Sequence, residues 1–202
     1  MKKIISLVIV AALVLGIAGI VSWAIGVYNN LVAQQETVEN AVGNVQAAYQ
    51  QRMDLIQEVV GAVKNAANYE KETLTAVIEA RAKATSTTID AKNLSPEQLK
   101  AFQDAQDQMS SAFSRLLVSV EKYPELKVNQ NFLDLHSKME KCENTIANAR
   151  RQFNELARGY NTYLRHFPNN IIANFMDFEK MPYFEASSDA QNAPNVNDLF
   201  NQ

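Results

Sequence analysis

The chain is poor in the residues that make sites. It has one cysteine, two histidines, five prolines and six glycines among 202 residues. The single cysteine, Cys142, permits no intrachain disulfide. His136 and His166 stand far apart, and no His-x-x-x-His, Cys-x-x-Cys or Glu-x-x-His spacing occurs, so zinc and carboxylate-bridged metal sites lack ligands. No glycine-rich phosphate loop is present. Cys142 lies in an apolar stripe, the setting of a small buried hydrophobe and not of a reactive thiol. Neither a catalytic constellation nor a cofactor is therefore expected, and the chain reads as no enzyme. Positive charge is also scarce. With Lys2 and Lys3 set aside, 17 of the 19 basic residues face 22 acidic ones, which argues against a nucleic-acid partner. The helices lack the basic face of an amphipathic helix that lies along a membrane. No proline precedes Pro96, so nothing of that kind interrupts long helices in the first half.

What is present begins at the N-terminus. Lys2 and Lys3 lead into Ile4–Val27, a run without a charged residue. About 20 residues suffice to cross a bilayer core. The basic residues before the run, with none after it until Arg52, predict a cytoplasmic N-terminus and an extracytoplasmic (periplasmic) remainder at the bacterial inner membrane. Trp23 and Tyr28 fall where an interfacial aromatic belt would lie. Ser22-Trp23-Ala24 has the small-x-small form of a signal-peptide cleavage site, but the run is long for an h-region and has no polar c-region, which favours a retained anchor. No cysteine follows as a lipidation site. Ala12 and Gly16, then Ala18, Ser22 and Gly26, recur at four-residue spacing, a face on which membrane helices can approach closely.

Three long helices follow in the pattern. Leu31, Val38, Val42, Val45, Tyr49, Met53, Ile56, Val60 and Val63 repeat at helical spacing, and the spacing predicts one continuous helix from the membrane to about residue 84. Gly43 and Gly61 weaken it by up to ~1 kcal/mol each without stopping it. Ser95-Pro96-Glu97-Gln98 is a capping-box start for a second helix over 96–122, and Tyr123-Pro124 stops it. Asn129 or Asn131 can cap a third, 131–167. There Phe132, Leu135, Met139, Cys142, Ile146, Ala149, Phe153, Leu156, Tyr160, Tyr163 and Phe167 step by three and four as a heptad stripe. A short helix over 171–179 and an aromatic loop, Met181–Phe184, come next. The fold expected is all-α: an N-terminal transmembrane helix continuous with a long antiparallel helical bundle. The segments are the anchor at 1–27, an extracytoplasmic bundle at 28–184 and a polar tail at 185–202.

Three sets of residues stand out. Helix lengths in this scheme let the third helix cover the first only back to about residue 47. Leu31, Val38, Val42 and Val45 would then lack cover and, with Ala18, Ser22 and Gly26, form a candidate oligomer interface. Arg52, Asp54, Arg81, Glu143, Arg150 and Asn154 lie beside the stripes as a candidate network of inter-helix hydrogen bonds and ion pairs. Phe175, Phe178, Tyr183 and Phe184 make a candidate docking patch, although aromatics more commonly cap the end of a bundle.

Several stretches together resemble the LemA family of bacterial membrane-anchored helical proteins. They are Tyr28-Asn29-Asn30-Leu31-Val32, Arg52-Met53-Asp54-Leu55-Ile56, Val63-Lys64 with Glu70, Tyr123-Pro124-Glu125-Leu126-Lys127-Val128-Asn129 with Phe132, Glu143-Asn144 through Arg150-Arg151-Gln152-Phe153-Asn154, Tyr160-Asn161 and Phe167-Pro168-Asn169-Asn170. The resemblance implies a single-pass anchor and a long helical bundle, and no reaction. Gln57 departs from it, since many members have proline there, so no kink is expected at that point. The expected role is a membrane-anchored scaffold that self-assembles through its anchor and membrane-proximal helix and organises envelope components. The runner-up is an accessory or adaptor subunit of a membrane protease or transport complex. The expected partners are the lipid bilayer, further copies of the chain and another envelope protein.

Overall fold

A computed structural model of the chain describes residues 1–64, 71–120, 123 and 129–185. Among the described residues there are five helices and no strand: α1 Lys2–Lys64, α2 Lys71–Ser86, α3 Pro96–Val120, α4 Gln130–Arg165 and α5 Asn169–Phe175. The all-α expectation holds. By contacts the chain divides into two compact units, Met1–Asn40 with Glu155–Met181, and Ala41–Asn154 with Pro182–Gln202.

In the second unit, α1 buries Val42, Val45, Tyr49, Met53, Ile56 and Val63 on one side. The expected single helix to residue 84 is corrected here. Arg81 Nε donates to the Met53 carbonyl at 3.1 Å and Arg81 Nη2 to Gln57 Oε1 at 2.6 Å. In one straight helix those residues would stand roughly 40 Å apart. Helix α2 instead packs back along α1 in the opposite direction, and Gln46 Nε2 reaches the Ile89 carbonyl beyond its end at 2.8 Å. The connection, 65–70, lies outside the described residues. Helix α3 runs in the same direction as α1, with Phe102 edge-on to Tyr49 (centroids 5.0 Å apart) and Gln106 and Ser110 against Arg52. Its start is capped: Ser95 Oγ accepts the Gln98 N–H at 3.2 Å. The stop at Tyr123-Pro124 falls largely outside the described residues. Of the two candidate caps for α4 the structure uses Asn129, whose Oδ1 accepts the Asn131 N–H at 3.0 Å.

Helix α4 contributes Phe132, Leu135, Met139, Cys142, Ile146 and Phe153 to this core. The Cys142 thiol donates to the Ala48 carbonyl at 3.6 Å, and burial, then Glu143, pushes its pKa up. Native Cys142 should therefore resist a thiol reagent near neutral pH and react quickly once urea unfolds the chain. Rapid labelling of the folded protein would contradict this burial.

In the first unit, α1 is exposed from Ile4 through most of the apolar run, and its first deeply buried residue is Val27 at 4 % exposure. Leu31 and Val38 follow at 0 % and 1 %. Their cover comes from Glu155–Met181, where Ala157, Tyr160, Leu164 and Ala173 are buried. Burial, then Glu179 and Glu39, pushes the Tyr160 phenol up to about 12. The uncovered overhang is thus overturned: Leu31, Val38, Val42 and Val45 are all core within one chain and are not available as an oligomer interface. The error follows from the missed reversal. With α2 turned back along α1, the later part of α4 groups with the earlier part of α1, Glu155–Met181 with Met1–Asn40.

The heptad stripe also drifts. Beyond Phe153 the buried positions are Ala157, Tyr160, Asn161 and Leu164, while Phe167 is 81 % exposed. A straight helix rotates about 20° per heptad away from a 3.5-residue repeat, so a strict heptad reading leaves the seam over five repeats. The short helix ends at Phe175 and not at 179. Asp177 takes a left-handed conformation (φ 54°), which an aspartate tolerates, and the chain turns there.

Candidate functional site

The second unit has a buried cation at its centre. Arg52 is 3 % exposed. Its Nη2 donates to the Gln106 carbonyl at 2.9 Å and to Gln106 Oε1 at 3.0 Å. Its Nη1 donates to Ser110 Oγ at 3.0 Å and to Glu143 Oε1 at 3.4 Å. The guanidinium lies 5.1 Å from the centroid of the Tyr49 ring. Burial pushes the Tyr49 phenol up against the opposing pull of Arg150 and Arg52, which keeps the ring neutral beside the cation. Protein acceptors occupy both terminal nitrogens of Arg52, so no fork is left open for a substrate anion. Only Nε lacks a partner.

The other network residues go elsewhere. Asp54 accepts from Gln50 Nε2 at 2.9 Å on the exposed side of α1 and does not meet Arg52. Residues two apart on a helix do not share a face. Arg81 ties α2 to α1 as described. Arg150 and Asn154 hold no helix. They hold the extended segment after Met181.

That segment is fixed by side-chain amides. In the first unit, Asn161 accepts the Met181 N–H at 2.9 Å and donates to the Met181 carbonyl at 2.8 Å. In the second, Asn154 accepts the Phe184 N–H at 2.9 Å and donates to the Phe184 carbonyl at 2.9 Å. Gln103 Nε2 and Arg150 Nη2 both donate to the Glu185 carbonyl. A primary amide carries one donor and one acceptor side by side, as a peptide does, so each asparagine satisfies backbone that has no strand partner. The Phe184 ring fills the space this creates. It is 5 % exposed, edge-on to Phe153 at 5.2 Å, with the Arg150 guanidinium 5.2 Å from its centroid.

The candidate docking patch is corrected accordingly. Phe184 is a plug in the core of the second unit, and Tyr183 beside it is 44 % exposed. Phe175 and Phe178 belong to the first unit, where Phe178 is half-buried edge-on to Tyr28 at 5.8 Å and Phe175 is 80 % exposed. Of the interface set, Ala18, Ser22 and Gly26 are exposed along the apolar run. Sequence reasoning missed Asn161, Gln103, Gln106 and Ser110 as working residues. One sign was available: Asn154 and Asn161 are two helical turns apart and share a face, ahead of a segment that contains Pro182.

A concavity in the second unit offers little chemistry. A cleft of about 370 Å³ in the second unit is lined by Gln46, Gln50, Thr85, Thr87, Thr88 and Gln106, with Tyr49, Met53 and Phe102. No carboxylate, histidine or cysteine lines it. Among the described residues no group of three His, Cys, Asp or Glu side chains could hold a metal ion.

These features define an all-helical protein that has, among the described residues, one helix long and apolar enough to cross a membrane, and whose described polar clusters brace its own fold. The model of the LemA family matches residues 41–197, and the chain belongs to that family. It is similar to Protein LemA of Metamycoplasma hominis, 28 % identical over 163 residues, which are 81 % of this chain and 71 % of that protein. It is also similar to Magnetosome protein MamQ 2 of Paramagnetospirillum magneticum, 28 % identical over 86 residues (43 % of this chain, 32 % of that one). Magnetosome protein MamQ of Magnetospirillum gryphiswaldense matches likewise, 28 % over 85 residues (42 % and 31 %).

Proposed function

We propose that the chain is a non-enzymatic scaffold held in the bacterial inner membrane by its first helix, with the N-terminus cytoplasmic and the helical units extracytoplasmic. Copies associate through the anchor, on the face of Ala18, Ser22 and Gly26, and organise other envelope components. The observation that carries this reading is the contrast along α1. Apolar side chains from Ile4 to Ile25 have no protein cover, whereas the equally apolar stripe from Val27 onward is fully covered. Lipid and neighbouring anchors are the natural cover for the first part.

The test is the mass of the full-length protein, gently extracted and kept in lipid or amphipol, by native mass spectrometry. A discrete oligomer that dissociates on Gly26→Leu supports self-assembly through the anchor. A monomer overturns it, and the adaptor role in a membrane protease or transport complex then moves ahead.

A further inference from the structure

The first unit carries an apolar face that its own chain leaves uncovered. Phe167, Ile171, Phe175 and Met176 are 81, 55, 80 and 48 % exposed. Ile171 and Phe175 are one helical turn apart and share a side of α5, with Phe167 in the turn before that helix and Met176 just past its end. Ala173, on the opposite side of α5, is 0 % exposed and fastens the helix to the unit. Four large apolar side chains, two of them phenylalanines more than three-quarters exposed, are not the scattered single exposures of an ordinary surface.

Their location names the partner. Phe178, just past α5, packs on Tyr28. Tyr28 directly follows the uncharged run Ile4–Val27, and Val27 is the first deeply buried residue of α1. The apolar face therefore sits where α1 passes from lipid-like exposure to protein cover. The run is about 36 Å long, against a hydrocarbon core of about 30 Å, so Trp23 and Tyr28 fall at the boundary. The polar residues nearby suit a headgroup layer. Arg158, Arg165, Asn169, Asn170 and Asn174 lie among or shortly before these apolar residues, and Asp177 and Glu179 follow them directly.

We propose that Phe167, Ile171, Phe175 and Met176 insert into the interfacial layer of the same bilayer that α1 crosses, giving the protein a second, shallow membrane contact beside its span. This rests on the reading of α1 as a membrane span. It does not need the basic face that the helices lack, because the span already holds the wedge at the surface and removes most of the entropic cost of binding. With a span and a wedge in contact with one leaflet, the first unit cannot rotate freely about its anchor.

The test uses full-length protein in vesicles of phosphatidylcholine with a minority of phosphatidylglycerol, and matched vesicles brominated near the top of the acyl chains. Native Trp23, the chain's one tryptophan, reports the span. In a Trp23→Phe background, Phe175→Trp reports the wedge and Val118→Trp, at an exposed site in the second unit, serves as the control. Far-UV circular dichroism checks that each variant keeps its helicity. The expected result is blue-shifted emission at 175, quenched by brominated lipid to about the degree seen for Trp23, and no quenching at 118. Emission at 175 that stays red and unquenched overturns the wedge. A blue shift without quenching also overturns it, since the face is then covered by protein. If Trp23 itself is not quenched, the span reading fails and the wedge fails with it.

Discussion

Arg52→Ala should lower the stability of the second unit by about 3–5 kcal/mol, a fall in Tm on the order of 10 °C for a chain of this size. The magnitude comes from what the substitution leaves behind more than from the ion pair itself. Glu143, the carboxylate paired with Arg52, has a side chain 51 % exposed, so solvent screens the pair and returns to the carboxylate when the arginine goes. Gln106 fares worse. It is 3 % exposed, and its Oε1 loses the Arg52 donor, while its carbonyl keeps the Ser110 hydroxyl. Leaving the buried Oε1 unsatisfied costs roughly 1–3 kcal/mol. The alanine also leaves a void where the stem packed against Tyr49 and removes the cation from above its ring. Glu143→Gln should by contrast cost under about 1 kcal/mol. Arg52→Met, which keeps the volume of the stem, should recover the packing share and not the hydrogen-bonding share. Thermal unfolding of the full-length variants in mild detergent, followed by circular dichroism, separates the three. Equal small losses for Arg52→Ala and Glu143→Gln would mean that water, and not Gln106, satisfies the cation.

The α4 stripe was legible in the sequence because burial there repeats every three or four residues and a helix converts that repeat directly into a face. Phe132 through Phe153 behave as read. The apolar run before Val27 was legible for a different reason: length and lack of charge suffice. The reversal after Lys64 was not. Residues 65–70, Asn-Ala-Ala-Asn-Tyr-Glu, contain neither proline nor glycine, and α2 resumes with Leu74, Val77 and Ile78 near the phase α1 would have kept. Periodicity records which side is apolar and says nothing of chain direction. The consequences spread from that one point: the register of α4, the cover over Leu31 and Val38, and the loss of the supposed interface.

Arg52 and Asp54 show a second limit. Polar residues beside a stripe were grouped by proximity in sequence, yet a two-residue step on a helix turns about 200°, so Asp54 faces solvent while Arg52 faces the core. The amide clasps were hidden for a different reason. Asn154 and Asn161 pair with backbone, and a backbone acceptor leaves no mark in a sequence. The exposure of Phe167, Ile171 and Phe175 was concealed too, because an apolar residue in a sequence looks the same whether it faces a core or stays exposed.

Asn161→Ala should destabilise the first unit by about 2–4 kcal/mol, the second large effect. Asn161 is 7 % exposed and its amide is the partner of both the N–H and the carbonyl of Met181, itself 9 % exposed. Truncation leaves two buried backbone groups unpaired at roughly 1–3 kcal/mol each, and water has little access to replace the lost partner. Asn161→Asp distinguishes pairing from packing. It keeps the shape and the acceptor for the Met181 N–H but turns an oxygen toward the Met181 carbonyl, so it should be at least as damaging as alanine despite being nearly isosteric. Asn154→Ala should cost less, about 1–2 kcal/mol, because Asn154 is only half-buried and solvent can reach the freed Phe184 groups. Hydrogen exchange at the Met181 amide gives the local readout. In the native protein that amide should be among the slower ones outside the helices. In Asn161→Ala and Asn161→Asp it should exchange faster by one to a few orders of magnitude, at about 1.4 kcal/mol per tenfold, while amides in α2 and α3 keep their rates. Unchanged exchange at Met181 in either variant would show that the segment is held by its flanking side chains, Phe184 above all, and that the asparagine pairing follows from that packing and does not cause it.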